Sequence, residues 1–503
     1  MGSILLGIDL GTSGAKAGLY TPEGRLLAFG RSRGYTQLEP RPGWAEGDPA
    51  AWWSSVVEAL GRACSEAGVA PTQIGAVGLC VFFPAVVAMD AAGKALRHAI
   101  LYSDGRSLAE AAELEAVLGP GVYRRLSGNV ASPGTCAATS ILWLRRHEPR
   151  VWESAHVLGF ANTWLTSRLT GACVTDLTHA GLSGLVDIRS PDRWDTRILS
   201  AIELDARMLP RIVPAPAVAG AVTPAAGRAT GLEPGVPVVA GMGDAACGCL
   251  GAGVVEPGSV GYVAGTTDCV TVPLVSPLED HRWLTLGYVE PGRWLGIGTM
   301  TSTGASVEWF AERFYTGTRM DRLERMVAEA QTAGASGEVL FLPYLQGERT
   351  PHWDAQARAV FSGLTLATTR AQLARAVFEG TALGLRDVVD CLPQRPSEIR
   401  ACGGGMTNRL WTRLKADALG LPLTVLSEPE TGSLGAAMLA AMAVGVYGGV
   451  EQAAVAARAA VPSVTVEPDP RRAGQVAERL ERYRDLYVRN RGLMHELAAA
   501  GSP

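Results

Sequence analysis

Residues 4–20 carry the pattern that most narrows the fold. A continuous apolar run, Ile4-Leu5-Leu6-Gly7-Ile8, leads into Asp9-Leu10-Gly11-Thr12-Ser13-Gly14, and a second run extends from Ala15 to Tyr20. Apolar runs of this length bounded by glycine predict buried strands, here a strand, a glycine turn and a second strand. Thr21-Pro22-Glu23-Gly24 turns again into Arg25-Leu26-Leu27-Ala28, which extends the meander. Half a chain later the arrangement returns. An apolar strand is expected over 236–240, and Gly261-Tyr262-Val263-Ala264 runs into Gly265-Thr266-Thr267. Two Gly-Thr-(Ser/Thr) turns, each after an apolar strand, predict two related lobes.

The 503 residues exceed what one hydrophobic core usually serves, which agrees with two lobes. Between the strands, helical periodicity recurs over 50–67, 107–118, 138–146, 161–169, 303–314, 371–391, 407–419, 434–443 and 471–497, with further strands over 73–79, 86–90 and 400–405. The chain is therefore read as α/β. The lobes are expected to span 1–246 and 247–503, and since no low-complexity linker separates them, a tight hinge is expected.

Lys and Arg total 45 against 49 Asp and Glu, with no basic run, so no footprint for nucleic acid appears and a small-molecule partner fits better. The nine cysteines form no CxxC pair and no Cys/His cluster at ligand spacing. A reducing cytoplasm is the simpler setting, and Cys247 and Cys249 read as packing residues. The opening strand lacks the segments of a signal peptide, so export is not expected. The uncharged stretch 433–450 is mostly Ala and Gly and reads as a buried helix rather than a membrane span.

Asp9 ends a buried strand just before a turn whose amides, with the Thr12 and Ser13 hydroxyls, suit a polyphosphate, while a neighbouring carboxylate can hold Mg²⁺. The bland alternative is an Asx-turn that only ends the strand. Asp244 leaves its strand through Gly241-Met242-Gly243 onto small residues that begin a helix. A carboxylate there is tolerated while it faces a ligand, so Asp244 is the candidate general base, with an N-cap role as the alternative. The same segment mimics the dinucleotide fingerprint Gly241-x-Gly243-x-x-Ala246, but 262–265 offers no acidic residue at the next strand end. No P-loop occurs either, so ATP would need another fold. Ser302-Thr303-Gly304-Ala305-Ser306 and Gly403-Gly404-Gly405, followed by Thr407-Asn408, lie near helix starts, where phosphate or a purine face can sit.

Taken together the chain resembles the FGGY family of carbohydrate kinases, in its xylulokinase-like branch. The likeness runs through Gly7 to Ser13, Gly43-Trp44-Ala45-Glu46 with Trp52-Trp53, Asp104-Gly105-Arg106, Gly241 to Ala246, Gly265-Thr266-Thr267, Gly403 to Asn408 and Glu430 to Ala437. Ser362-Gly363-Leu364, Gln372-Leu373 and Ala376-Val377-Phe378-Glu379-Gly380 fit the family's C-terminal signature. The resemblance implies two ribonuclease-H-like lobes of the actin and hexokinase superfamily, with sugar held by the first and nucleotide by the second, closing on a cleft that contains Asp9 and Asp244. It also implies ATP and Mg²⁺ as cofactors. By motif, Asp244 would be the base, and Asp9 and Asp244 would lie near the metal. Thr12, Ser13 and Thr266 would meet phosphates, Gly304 and Glu308 would line the nucleotide pocket, and Gly404 and Asn408 would surround adenosine. Phe83, Pro84, Asp104 and Asp244 would face the sugar.

Two departures stand out. Typical xylulokinases carry Gly-Gln-Met-His-Gly where this chain has Val81-Phe82-Phe83-Pro84-Ala85, so the substrate-facing His becomes Pro84. Losing an imidazole removes a hydroxyl partner, which predicts a deoxy or end-modified ketose or a polyol rather than ordinary D-xylulose. Ser140 stands where the N-terminal signature usually has Lys. The rival readings are a glycerol- or erythritol-type polyol kinase and, from another class, an actin- or Hsp70-like ATPase acting on proteins. No membrane partner is expected, and a homodimer is a possible assembly.

Overall fold

The computed structural model describes residues 4–119, 121–280, 282–427 and 430–500; residues 1–3 of the expected opening strand lie outside the described residues. The chain folds into two units: Met1–Pro257 with Pro273–Gly296 and Glu430–Val461, and Gly258–Val272 with Ile297–Pro429 and Pro462–Pro503. A single boundary near 246 therefore does not describe it. The chain returns to the first unit twice, and the second return has a clear packing reason.

In the first unit the sheet runs in the order Val218–Ala221, Pro237–Val239, Ile74–Val81, Ile4–Leu10, Ala15–Tyr20, Leu26–Arg31, with Met242–Gly243 also paired to Ile74–Val81. Ile4–Leu10 is antiparallel to Ala15–Tyr20 and parallel to Ile74–Val81, so it is central and buried, and Asp9 is its one charged residue. Gly7 lies opposite both Gly18 and Gly78. A Cβ on Gly7 would overlap the Ser433 carbonyl oxygen, and one on Gly78 the Ala436 oxygen. The small-residue helix Thr431–Ala443 thus lies directly on the sheet, and only glycine permits that approach. This packing draws 430–461 back into the first unit and explains why its helix carries no charge. Among the described residues no helix is long and apolar enough to cross a membrane.

Gly18 pairs with Phe29, which sends Gly30 to the opposite face, where a Cβ would overlap the Ala59 oxygen of the helix Pro49–Ala67. That helix has local reasons to start and stop. Asp48 caps it through the Ala50 N–H, Pro49 takes the first helical position and Gly68 ends it at φ 66°. Its buried stripe, Trp52, Val56, Ala59, Leu60 and Ala63, keeps helical spacing. A smaller sheet, Glu46–Gly47, Ala99–Leu101, Ala85–Met89 and Val157–Phe160, packs against a second core.

The second unit repeats the plan. Gly261–Val263 pairs antiparallel with Cys269–Thr271, and Ser259–Val263 runs parallel to Glu398–Cys402, which continues to Leu423–Leu426 and then Ser463–Val466. Each unit is therefore built on a hairpin turning at a Gly-Thr pair, with the hairpin's first strand parallel to a later strand. The expected echo at residues 265–267 is a topological repeat. Most helix expectations hold within three residues, including Thr303–Phe314, Arg370–Val389 and Ala473–Ala500.

Candidate active site

Strand register brings the two candidate carboxylates into one neighbourhood of the first unit. Asp9 pairs with Cys80, and Cys80 pairs on its other side with Met242. With strands spaced about 4.8 Å apart, Asp9 and Met242 stand roughly 10 Å apart across Cys80. Asp244 follows two residues later. Both carboxylates rise from the same sheet of the first unit.

Asp9 is 9% exposed. Cys80 Sγ donates to its Oδ1 at 3.4 Å, and Lys16 Nζ stands 3.6 Å from its Oδ2. Lys16 also donates to Glu430 Oε2 at 2.6 Å. Burial pushes the Asp9 carboxyl above its ordinary range, and Lys16 opposes that shift. Asp244 opens the helix Asp244–Gly251, whose cap position belongs to Gly243. Asp244 is exposed, and the Ala245 N–H donates to its Oδ1 at 2.8 Å. Desolvation by the surrounding protein pushes it up to about 6, the Ala245 amide opposes the rise, the Asp9 charge adds to it and His179 opposes it. A carboxyl poised near neutrality suits a general base.

The turn after Asp9 directs its carbonyls inward. Gly11 donates to the Gly14 oxygen at 3.0 Å, the Tyr35 hydroxyl donates to the Gly11 oxygen, and Tyr35 N donates to the Ser13 oxygen at 2.9 Å. Thr12 is half-buried and Ser13 exposed, so their hydroxyls and amides are left for a ligand. Phe83 also belongs here: a Cβ on Gly243 would strike its ring, and its centroid lies 5.2 Å from that of His179. Pro84 is buried beside it.

Asp104 requires a correction. It is 1% exposed, and its Oδ1 accepts from Arg106 N at 2.9 Å and Nε at 2.8 Å, while Oδ2 accepts from Ala45 N and from Arg106 Nη2 at 2.8 Å. Four donors saturate the carboxylate, so Asp104 braces the Trp44–Glu46 segment and has no acceptor left for a sugar hydroxyl.

In the second unit two glycine segments converge on the Gly265 turn. A Cβ on Gly304 would overlap the Gly265 carbonyl oxygen, and Ala305 N donates to the Thr266 oxygen at 3.1 Å. On another side Gly403, at φ 96°, presses on Ala264, and Gly405 N donates to the Ala264 oxygen at 3.1 Å. Thr266, Gly304 and Gly404 are thus brought together, with Thr266 and Gly404 exposed. Asn408 caps the helix Arg409–Leu419 through the Trp411 N–H at 3.2 Å. Glu308 sits one helical turn past Gly304, ion-paired with Arg319.

Each unit thus has exposed hydroxyls and close-approach glycines on a hairpin turn, and the first adds two carboxylates, a set suited to phosphoryl transfer. The FGGY carbohydrate kinase N-terminal domain matches residues 4–251, and the C-terminal domain of the same family matches 260–444. The chain belongs to the FGGY family of carbohydrate kinases. It is 33% identical to a xylulose kinase of Escherichia coli (strain K12), covering 87% of this chain and 90% of that relative. It is 30% identical to a glycerol kinase 2 of Streptomyces avermitilis, covering 88% and 89%. The crystal structure of xylulose kinase from Rhodospirillum rubrum superposes with a TM-score of 0.89 at 30% identity, covering 98% of this chain and all of that one. The α/β fold with two actin/hexokinase-like domains follows from the same match.

This FGGY chain contains site residues that sequence reasoning missed. Lys16 is the cross-strand partner of Asp9, a neighbour that counting back from the glycine hairpin would have found. Asp268 anchors the second turn, accepting from Gly265 N at 3.1 Å and from the Tyr262 hydroxyl; Lys415 Nζ lies 3.7 Å from its Oδ2. Glu348 accepts from Thr301 N at 2.7 Å and Arg349 N at 2.8 Å, fixing the entry to the Thr303–Phe314 helix. It is 4% exposed, and burial pushes it up to about 7 against those two amides. The unfolded carboxyl ionises first, so this group's stabilisation is complete below its ordinary pKa and is lost as pH rises through about 7. Glu348→Gln keeps an acceptor without the charge. It is expected to raise stability at pH 8 by up to about 3 kcal/mol and to change little at pH 5, as read by urea unfolding at both pH values. Equal effects at the two pH values would contradict the buried-charge account.

Proposed function

We propose that this FGGY kinase transfers the γ-phosphoryl group of ATP to a hydroxyl of a ketopentose, either xylulose or a deoxy or end-modified relative. The observation that carries this reading is the placement of Asp9 and Met242 on either side of Cys80, with Asp244 two residues beyond Met242, at the C-terminal ends of neighbouring strands beside the Thr12-Ser13 turn. Asp244 takes the proton of the attacking hydroxyl while Phe83 shapes the wall beside it. Thr12 and Ser13 in the first unit, and Thr266 with the Gly304 and Gly404 backbones in the second, receive phosphates and nucleotide; Glu308 and Asn408 flank that side. Mg²⁺ usually binds one or two carboxylates together with substrate phosphates, so the Asp9 and Asp244 pair fits it without a third protein ligand. The ion would neutralise charge on the phosphate oxygens as the γ-phosphoryl group moves.

The xylulose and glycerol kinases among its relatives set the acceptors to compare. Phe83 and Pro84 offer no side-chain hydrogen bond, so a hydroxyl pressed against them would lose hydration unpaired. An ADP-release screen across pentuloses, deoxy-ketoses and polyols is expected to give a less hydroxylated or end-modified ketose at least about ten-fold higher kcat/KM than D-xylulose. D-Xylulose at the top of the panel would remove the modified-substrate part of the proposal. A polyol at the top would favour the glycerol-type reading, and ATP hydrolysis indifferent to every acceptor would overturn sugar phosphorylation. A cytoplasmic setting accords with nine cysteines in thiol form and with phosphorylated products retained in the cell.

A further inference from the structure

The helix Leu177–Ser183 begins at a fully buried carboxylate that no step above uses. Asp176 accepts four hydrogen bonds: from Thr178 N at 2.7 Å and the Thr178 hydroxyl on Oδ1, and from Asn162 Nδ2 at 3.0 Å and His179 Nδ1 on Oδ2. An aspartate carboxylate only accepts, so the Thr178 hydroxyl must spend its proton on Asp176. That orientation leaves a lone pair of Thr178 Oγ1, and Gly243 N donates to it at 2.8 Å. Asn162, Asp176 and Thr178 are all 0% exposed, and water does not compete for any link of the chain.

The far end of this relay is the peptide that leads into Asp244. Gly243 has no side chain of its own to fix its orientation, and the Phe83 ring closes the space where a Cβ would stand. The Gly243 N–H is buried, so without Thr178 Oγ1 it would lack a partner, and the peptide would turn to seek another. We propose that Thr178 is a positioning residue for the reaction, holding Asp244 in line through the Asp176–Thr178–Gly243 hydrogen-bond chain. The proposal rests on Asp244 being the base, and it adds a residue from a different helix that never touches substrate. A displacement of about 1 Å at a reacting group can cost about 100-fold in rate, which sets the expected size of the effect.

The test compares Thr178→Val, Thr178→Ser and Thr178→Cys with the parent enzyme, in the full chain. Valine keeps the shape and removes the acceptor. Thr178→Val is expected to lower kcat by 10- to 100-fold while the KM values for ATP and sugar stay within about two-fold, and Thr178→Ser is expected to recover kcat to within about three-fold. If valine prevents folding, the Ser and Cys variants decide the matter: they are similar in size, and sulfur is the poor acceptor, so serine should be fast and cysteine slow. Equal kcat for Ser and Cys, or a valine variant that keeps its kcat, would overturn the proposal. So would parallel losses in kcat and both KM values that serine does not repair, the mark of a merely structural role. Asp244→Asn assayed alongside separates the two readings. Near-normal turnover in that variant removes the base assignment whatever Thr178 does, whereas an inactive Asp244→Asn with a fast Thr178→Val removes only the relay.

Discussion

Asp244→Asn is expected to lower kcat by about 1,000-fold or more, while the KM values for sugar and ATP move by no more than a few-fold. The amide keeps the size of the side chain and its ability to accept from the Ala245 N–H at 2.8 Å, so the helix Asp244–Gly251 should start as before. On the proposed assignment the amide lacks the basic oxygen for the hydroxyl proton and the charge that would face Mg²⁺. General base catalysis alone contributes about 100- to 10,000-fold, and the loss of a metal-facing charge adds to that. Steady-state kinetics on the preferred acceptor checks the prediction, with circular dichroism to confirm the fold. A variant that turns over within ten-fold of the parent would move the base to another group.

The parts of the site that were legible in the sequence share a physical cause. Asp9 and the Thr12-Ser13 turn stand between short apolar runs bounded by glycine, which read as buried strands; the same grammar at 261–267 pointed to Thr266. Asp244 was legible because a carboxylate at an apolar strand end needs a partner or a task. What escaped notice was set by contacts between distant segments. Periodicity does not show that Gly7 and Gly78 exist to admit the Ser433 and Ala436 carbonyls, so the return of 430–461 to the first unit could not be read from a boundary near 246. Asp104 was placed against the sugar by the family motif alone, and only the fold shows that its acceptors are filled, one of them by the Ala45 N–H from 59 residues away. Thr178 is hidden for a related reason. Asp176-x-Thr178 reads as an ordinary helix cap, which it is, and its second partner lies 65 residues further on.

The convergence of glycine on the second hairpin yields the other large effect. Gly304 sits in the first turn of the helix Thr303–Phe314, where alanine would ordinarily be the better helix former. Gly304→Ala is nevertheless expected to raise the KM for ATP by about ten-fold or more, because over-filling a packed contact costs about 1–3 kcal/mol. The new methyl group would overlap the Gly265 carbonyl oxygen and crowd the Thr266 backbone, so either the helix or the turn must retreat. The turn is the weaker side: it is held by hydrogen bonds of Gly265 N to Asp268, Ala305 N to the Thr266 oxygen and the Thr267 hydroxyl to the Thr301 oxygen, while the helix is anchored by Phe310 and Val307 in a core cluster. The strain therefore goes to the Gly265-Thr266-Thr267 backbone, whose amides and hydroxyls are the proposed phosphate contacts. The sugar KM should stay within about two-fold, since the groups assigned to sugar belong to the first unit. Isothermal titration of ADP and of the sugar, with initial-rate kinetics, reads both effects. An unchanged ATP KM would show that nucleotide phosphates do not rely on this turn, and equal losses toward ATP and sugar would show that the change spreads beyond it.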